Sequence, residues 1–266
     1  MNRRLLLAVG SLALLAITSG CLGIGTGPVP AERLESDPAG SYAWDADTTV
    51  HVTVQPNTQF RVVMATNDTT LELYRRDGFG GRAPLPVQAV RYRYPNGTVI
   101  TGTELRARGG AVRRTRSETI VSLPPSAPPG GGAVAFTSGG TPKRFTLPTY
   151  VDGTYEVVLP PDRRIAVPVF GQVSPRGYDT RTDDRSRLHI VWRDPVTAET
   201  VSVQFYLQRD LYVFGGLAGI VLLVGAGGLA YYRRQIQRLR RRRLEMGIDV
   251  ETDDDEFDDG PPPGMG

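Results

Sequence analysis

"TVHVTV", residues 49–54, sets Val50, Val52 and Val54 on one side of an extended chain and Thr49, His51 and Thr53 on the other. Strict alternation of this kind marks a half-buried strand, because successive side chains of a β-strand point to opposite faces. "RLHIVW", residues 187–192, repeats it with Leu188, Ile190 and Trp192. Similar short runs at 59–65, 69–75, 87–94, 119–123, 133–137, 154–159, 164–170 and 200–207 are separated by Gly, Pro, Asn and Asp. The pattern predicts a mainly β region over 47–208, folded as a β-sandwich-like domain or domains. "LPPSAPPGGGA", residues 123–133, cannot sustain a strand and reads either as a linker, splitting the region near 124–132, or as a long loop within one domain. Asn96-Gly97 in "YPNGTVI" predicts a tight hairpin turn.

Outward from the β region toward the C-terminus comes "LYVFGGLAGIVLLVGAGGLAYY", residues 211–232, without a charge. As a helix it spans roughly 33 Å at about 1.5 Å per residue, enough for a hydrocarbon core of about 30 Å. Tyr212, Tyr231 and Tyr232 fall at its ends, where amphipathic rings settle in a bilayer. Seven arginines follow between Arg233 and Arg243. The positive-inside rule then places the C-terminus in the cytoplasm and the β region outside. The strand over 200–208 is separated from the span only by Arg209 and Asp210, so the β region is expected to sit close to the bilayer. Residues 233–266 read as a cytoplasmic, basic then acidic, disordered tail, whose basic part can lie on anionic headgroups. Phe257, alone among acids, is a residue a partner could grip.

Toward the N-terminus, Arg3 and Arg4 precede an apolar run from Leu5 to Ile17 and the small residues Thr18, Ser19 and Gly20. This is the layout of an export signal, residues 1–20, and the arginine pair also fits twin-arginine export. The chain's single cysteine, Cys21, follows directly in a lipobox-like setting, with Thr18 where leucine is usual, and is expected to carry lipid. With one cysteine no intramolecular disulfide forms, so the β region must be held by its core. Residues 21–46, rich in Gly, Pro, Ser and Asp, read as a lipidated flexible tether.

"RYPNGTVI" at 93–100, "YLQRDLYVFGG" leading into the apolar segment and the acidic tail ending "PPPGMG" together resemble an uncharacterised family of haloarchaeal membrane lipoproteins built on a domain of unknown function. The resemblance covers most of the mature chain. It implies place and topology, and no catalytic or binding residue.

Chemistry-bearing motifs are sparse. His51 and His189 fall on the polar sides of their strands and read as solvent-facing. There is no G-x-S-x-G elbow, no H-E-x-x-H pair and no phosphate-cradling glycine loop. Asp179, Asp183 and Asp184 could offer oxygen ligands to calcium, but the interleaved Arg181, Arg185 and Arg187 favour a solvated hairpin loop. No catalytic, cofactor-binding or metal residue is assigned, and no cofactor is expected. Basic clusters at 91–94 and 106–116 would suggest nucleic acid in a cytosolic protein; outside a cell membrane lipid, a surface protein or a surface polymer would be the fitting partners, but the clusters read first as polar strand faces in an arginine-rich composition. Asn67 and Asn96 are glycosylation sequons on the exterior side. Gly215 and Gly219, with Ala226 and Ala230, give one face of the apolar helix a small-residue spacing that suits a homodimer. The function expected is a cell-envelope lipoprotein with a membrane-proximal β-rich binding or structural module. A transmembrane factor relaying exterior contacts to the tail and a surface enzyme are the alternatives.

Overall fold

The computed structural model describes residues 25–38, 40–128 and 130–246. The signal segment, Cys21 and the acidic tail lie outside them. In chain order the first half contains β1 (Gly27–Pro28), α1 (Ala31–Glu35), β2 (Val50–Val54), β3 (Gln59–Thr66), β4 (Thr70–Arg76), β5 (Arg82–Pro84), β6 (Val87–Arg93), β7 (Val99–Thr101) and α2 (Gly102–Ala107). Then come β8 (Ala111–Arg114), β9 (Thr119–Ser122), β10 (Gly132–Gly139), β11 (Arg144–Pro148), β12 (Tyr155–Val158) and β13 (Arg163–Arg164). The last elements are β14 (Gln172–Ser174), β15 (Asp179–Thr182), β16 (Leu188–Trp192), β17 (Thr200–Gln204), β18 (Tyr206–Leu207) and α3 (Gln208–Glu245).

Eight strands form the main sheet in the order β15-β16-β12-β2-β3-β10-β6-β7, and β1-β8-β9-β4-β5 form a second. β11-β17-β14 and β13-β18 complete the set. Within the main sheet only β12 and β2 run parallel, with Glu156 opposite His51. The apolar sides predicted by alternation face one core: Val52, Val62, Val134 and Ile190 from the main sheet join Leu71, Val112 and Val121 from the second and Phe145, Leu147 and Val203 from the third. Phe60 meets Phe145 edge to face at 5.2 Å between centroids. Each such side chain contributes about 1.5–3 kcal/mol on full burial, which is how a domain from a chain with a single cysteine is held.

β10 inserts between β3 and β6. The connection between β9 and β10 therefore lies within one unit and is not a linker between two, and the described residues up to Gln208 cluster as a single compact body. The predicted turn is in place: Gly97, at φ +85°, donates to the Tyr94 carbonyl.

The tether is corrected. From Gly27 onward the chain is folded against the sheets: β1 pairs with β8, Leu34 is fully buried and Tyr42 is buried. Arginines of the main sheet clamp its backbone, Arg91 donating to the Leu34 carbonyl (2.8 Å) and Arg61 to that of Ser41 (2.6 Å). Tyr42 packs with Val63, Ala89 and Ala135 on the sheet face opposite the core, with Trp44 and Ala133 alongside. Its hydroxyl donates to the Ala89 carbonyl (2.6 Å) at a bulge where Ala89 has φ +52°. Burial pushes the Tyr42 phenol up to about 12.

The second unit, Arg209–Gly266, is described here by α3, 38 residues with no buried side chain, long and apolar enough to cross a membrane. The basic segment is also corrected: residues 233–245 continue the helix without a break, because arginine, leucine and glutamine are good helix formers.

Candidate functional site

The face of the main sheet turned away from the core carries a row of polar side chains, one from each of four adjacent strands. His51 on β2 stands opposite Glu156 on β12, and Arg181 on β15 stands opposite His189 on β16. His189 is one diagonal step from Glu156, whose direct partner on β16 is Val191. Paired residues share a face, so register alone brings these four side chains together.

Glu156 is the hub. Its Oε2 accepts from His51 Nδ1 at 2.9 Å, and its Oε1 accepts from His189 Nδ1 at 2.7 Å and from Arg181 Nη2 at 2.8 Å. Burial alone would raise this carboxyl, but hydrogen bonds from His51, His189 and Arg181 outweigh it and hold the group well below the usual carboxylate range. An ionised carboxylate only accepts, which fixes a proton on Nδ1 of both histidines. His189 Nε2 lies 3.3 Å from Asp183 Oδ2, a second carboxylate. His51 Nε2 faces the Thr53 hydroxyl at 3.3 Å, which can donate to it. Asp183 is itself locked by the backbone amide of Arg187 (2.9 Å) and by its guanidinium (2.8 Å). Desolvation opposes ionisation of Asp183, and these bonds with that of His189 overcome it, again leaving the group well below its ordinary range.

The histidine expectation is therefore half right. Both rings do lie on the polar side of their strands, yet neither is solvent-facing: His51 is 9% exposed and His189 7%. The folded-back segment around Tyr42 and Trp44 walls the row, leaving a cleft of about 740 Å³ above it. Trp44, Asp45 and Asp47 line one side and Arg193 and Thr154 join the floor. Asp45 is held by Arg93 (2.7 Å) and Arg193 by Asp179 (2.9 Å).

Each ring nitrogen and carboxylate oxygen of the row already has a partner within the site. What the row supplies is a fixed, charged floor, in which Glu156 and Asp183 stand against Arg181 and Arg187 with His189 between the two carboxylates. Among the described residues no group of three His, Cys, Asp or Glu side chains is disposed to hold a metal ion. Asp183 and Asp179 are turned to arginines and not to a shared calcium position.

The remaining sequence candidates are scattered. Asn67 and Asn96 are both exposed in loops. Arg91 and Arg93 serve the folded-back segment and Arg106 donates to the Val29 and Val112 carbonyls, while Arg108, Arg113 and Arg116 of the second cluster are exposed. Gly215, Gly219, Ala226 and Ala230 all lie on α3, within about 60° of one another at 3.6 residues per turn. Glu156 and Trp44 were not singled out by sequence reasoning, and Arg181 was read only as part of a solvated hairpin loop. The signal for Glu156 was a lone acid inside the apolar run "YEVVL", since a buried charge needs partners.

These observations define a class: a mainly β module, with a polar cleft on its outer sheet face, joined to one helix able to cross a membrane. The chain belongs to a family of unknown function, DUF5803, whose sequence profile matches residues 46–251. No curated protein and no solved structure matches it.

Proposed function

We propose that this is a single-pass cell-envelope protein whose exterior β module binds a polar chain of the cell surface, one bearing hydroxyl or amide groups, in the cleft over Glu156. The observation that carries the reading is the floor itself: a preorganised ionic row with every member satisfied, roofed on one side only, which supports recognition of a polar ligand. The apolar helix with arginines on one side supports an exterior module and a cytoplasmic C-terminus. Cys21 is the lipid-bearing residue of this reading. Intact mass of the protein taken from membranes is expected to show a chain beginning at Cys21 and carrying lipid; a chain beginning at Met1 removes that element.

Binding is tested by placing a photoreactive amino acid at Ala46, in the cleft wall, or at Gly78, in the β4–β5 turn, and irradiating intact cells. Ala46 is expected to give a discrete adduct that Trp44→Ala diminishes several-fold, and Gly78 none. Equal adducts at both positions, or none at Ala46, would falsify the cleft as a binding site.

A second reading, relay of exterior contacts to the tail, is favoured by one feature, the unbroken run of α3 through Glu245. It expects removal of residues 247–266 to reproduce the phenotype of a null strain while Ala46 adducts persist. A normal phenotype in that truncation removes it.

A further inference from the structure

Two sequons lie outside the cleft: Asn67-Asp68-Thr69 between β3 and β4, and Asn96-Gly97-Thr98 between β6 and β7. The fold presents them differently. The second is a closed hairpin turn, in which the Tyr94 amide donates to the Thr98 carbonyl (2.8 Å) and the Gly97 amide to the Tyr94 carbonyl (2.9 Å). The Thr98 amide donates to Asn96 Oδ1 at 3.0 Å. Oxygen and nitrogen of a carboxamide lie on opposite sides of one carbon, so tying Oδ1 back to the turn directs the two Nδ2 hydrogens away from it. Neither Asn96 Nδ2 nor the Thr98 hydroxyl is bonded to a described residue, and residues 95–98 are all exposed. A Cβ built on Gly97 would meet nothing within 4 Å beyond its chain neighbours, so the turn stands in open space.

Asn67 is exposed as well, but its loop is braced. Gly130 approaches until a Cβ there would stand 3.3 Å from Asn67 Oδ1, and the Thr69 carbonyl accepts from the Leu123 amide at 2.8 Å. The Asp68 amide donates to the Thr66 hydroxyl (3.0 Å), and no turn is closed on the Asn67 side chain. The bonds that shape the Asn96 turn all lie between residues 94 and 98 and do not require the sheets to be assembled. Those around Asn67 depend on residues 123 and 130.

We propose that Asn96 is the glycan acceptor of the β module, its Nδ2 taking a saccharide from a lipid-phosphate-linked sugar donor on a transferase of the host. Nδ2 attacks the anomeric carbon, and the new C–N bond replaces the C–O bond to phosphate. The phosphate leaves with the bonding pair, the amide gives up one proton to the transferase, and nothing is oxidised or reduced. Thr98 supplies the hydroxyl that the sequon requires two residues on. Glycosylation here deepens the envelope reading and rests on the β module being exterior.

The test uses the full chain with a C-terminal epitope, made in its own host and taken from membranes. Mass spectrometry of proteolytic peptides is expected to find a saccharide on Asn96, at an occupancy several-fold above that of Asn67. Asn96→Gln and Thr98→Ala are each expected to remove it with circular dichroism unchanged, and Thr98→Ser, which keeps the hydroxyl, to retain it. A bare Asn96, equal occupancy of the two sequons, or a saccharide that survives Thr98→Ala overturns the assignment. Protease added to intact cells separates the two ways of failing. A module digested from outside yet bare at Asn96 loses the glycan and keeps its place. A module protected until the cells are opened removes the exterior reading, and the glycan with it.

Discussion

Glu156→Gln is expected to destabilise the β module by about 3 kcal/mol, the lower end of what removing one partner from a buried ion pair costs. The lower end applies because Arg181, 65% exposed, can turn its guanidinium to water, whereas His51 and His189 cannot leave. For a domain of this size each kcal/mol moves the midpoint by about 2–4 °C, so thermal unfolding followed by circular dichroism should show a drop of about 6–12 °C. The informative comparison is the triple change of Glu156, His51 and His189 to leucine. Removing the charges together leaves none of these three uncompensated and is expected to recover most of the loss, as replacement of buried ionic groups by apolar ones commonly does. A triple variant less stable than Glu156→Gln would show that the row is held by shape and not by charge.

Acid is expected to unfold the module through the same residues. The carboxyls of Glu156 and Asp183 are both depressed in the folded state, against burial in each case, by the histidine and arginine bonds described above. As the pH falls through the ordinary carboxylate range near about 4, the unfolded chain takes up protons that the folded one still refuses. Stability from these two groups is therefore complete above that range and is lost progressively below it, toward their folded values. Thermal midpoints measured downward from about pH 5 should fall steeply in the wild type and less steeply in Glu156→Gln, whose hub no longer titrates. Parallel curves for the two proteins would remove Glu156 from the account.

Most strands were legible in the sequence and their partners were not; the run at 164–170 is the exception, strand only at Arg163–Arg164 and irregular or turn from there to Phe170. Alternation at 49–54 and 187–192 identified both the elements and their core faces, because a side-chain period of two is local information. The pairing that makes the site, β12 parallel to β2, joins residues 105 positions apart and leaves no local trace. For the same reason the histidines were assigned to the right face and the wrong environment. Alternation says which side of a sheet a residue occupies, and nothing about what folds over that side. The cover was misread because glycine, proline and aspartate dominate the segment before residue 47, while Tyr42 and Trp44, two aromatics that a tether has no use for, were its informative residues. The arginine segment was misread in the opposite direction. Its charge suggested disorder, but its residues are strong helix formers that simply prolong a helix already nucleated by the apolar run.

That prolonged helix has a mechanical meaning. On the single-pass reading, residues 233–245 add roughly 20 Å of rod beyond the bilayer at about 1.5 Å per residue. Anything that grips the module from outside pulls on β18, a strand of two residues paired only to β13, and through it directly on α3. Extraction would drag seven arginines into hydrocarbon at about 2.5–3.5 kcal/mol each, on the order of 20 kcal/mol together. A domain stable by about 5–15 kcal/mol yields first. Under load, then, the sheets come apart while the helix stays where it is, and the weakest link in the tensile path is the short β18 ladder next to the membrane.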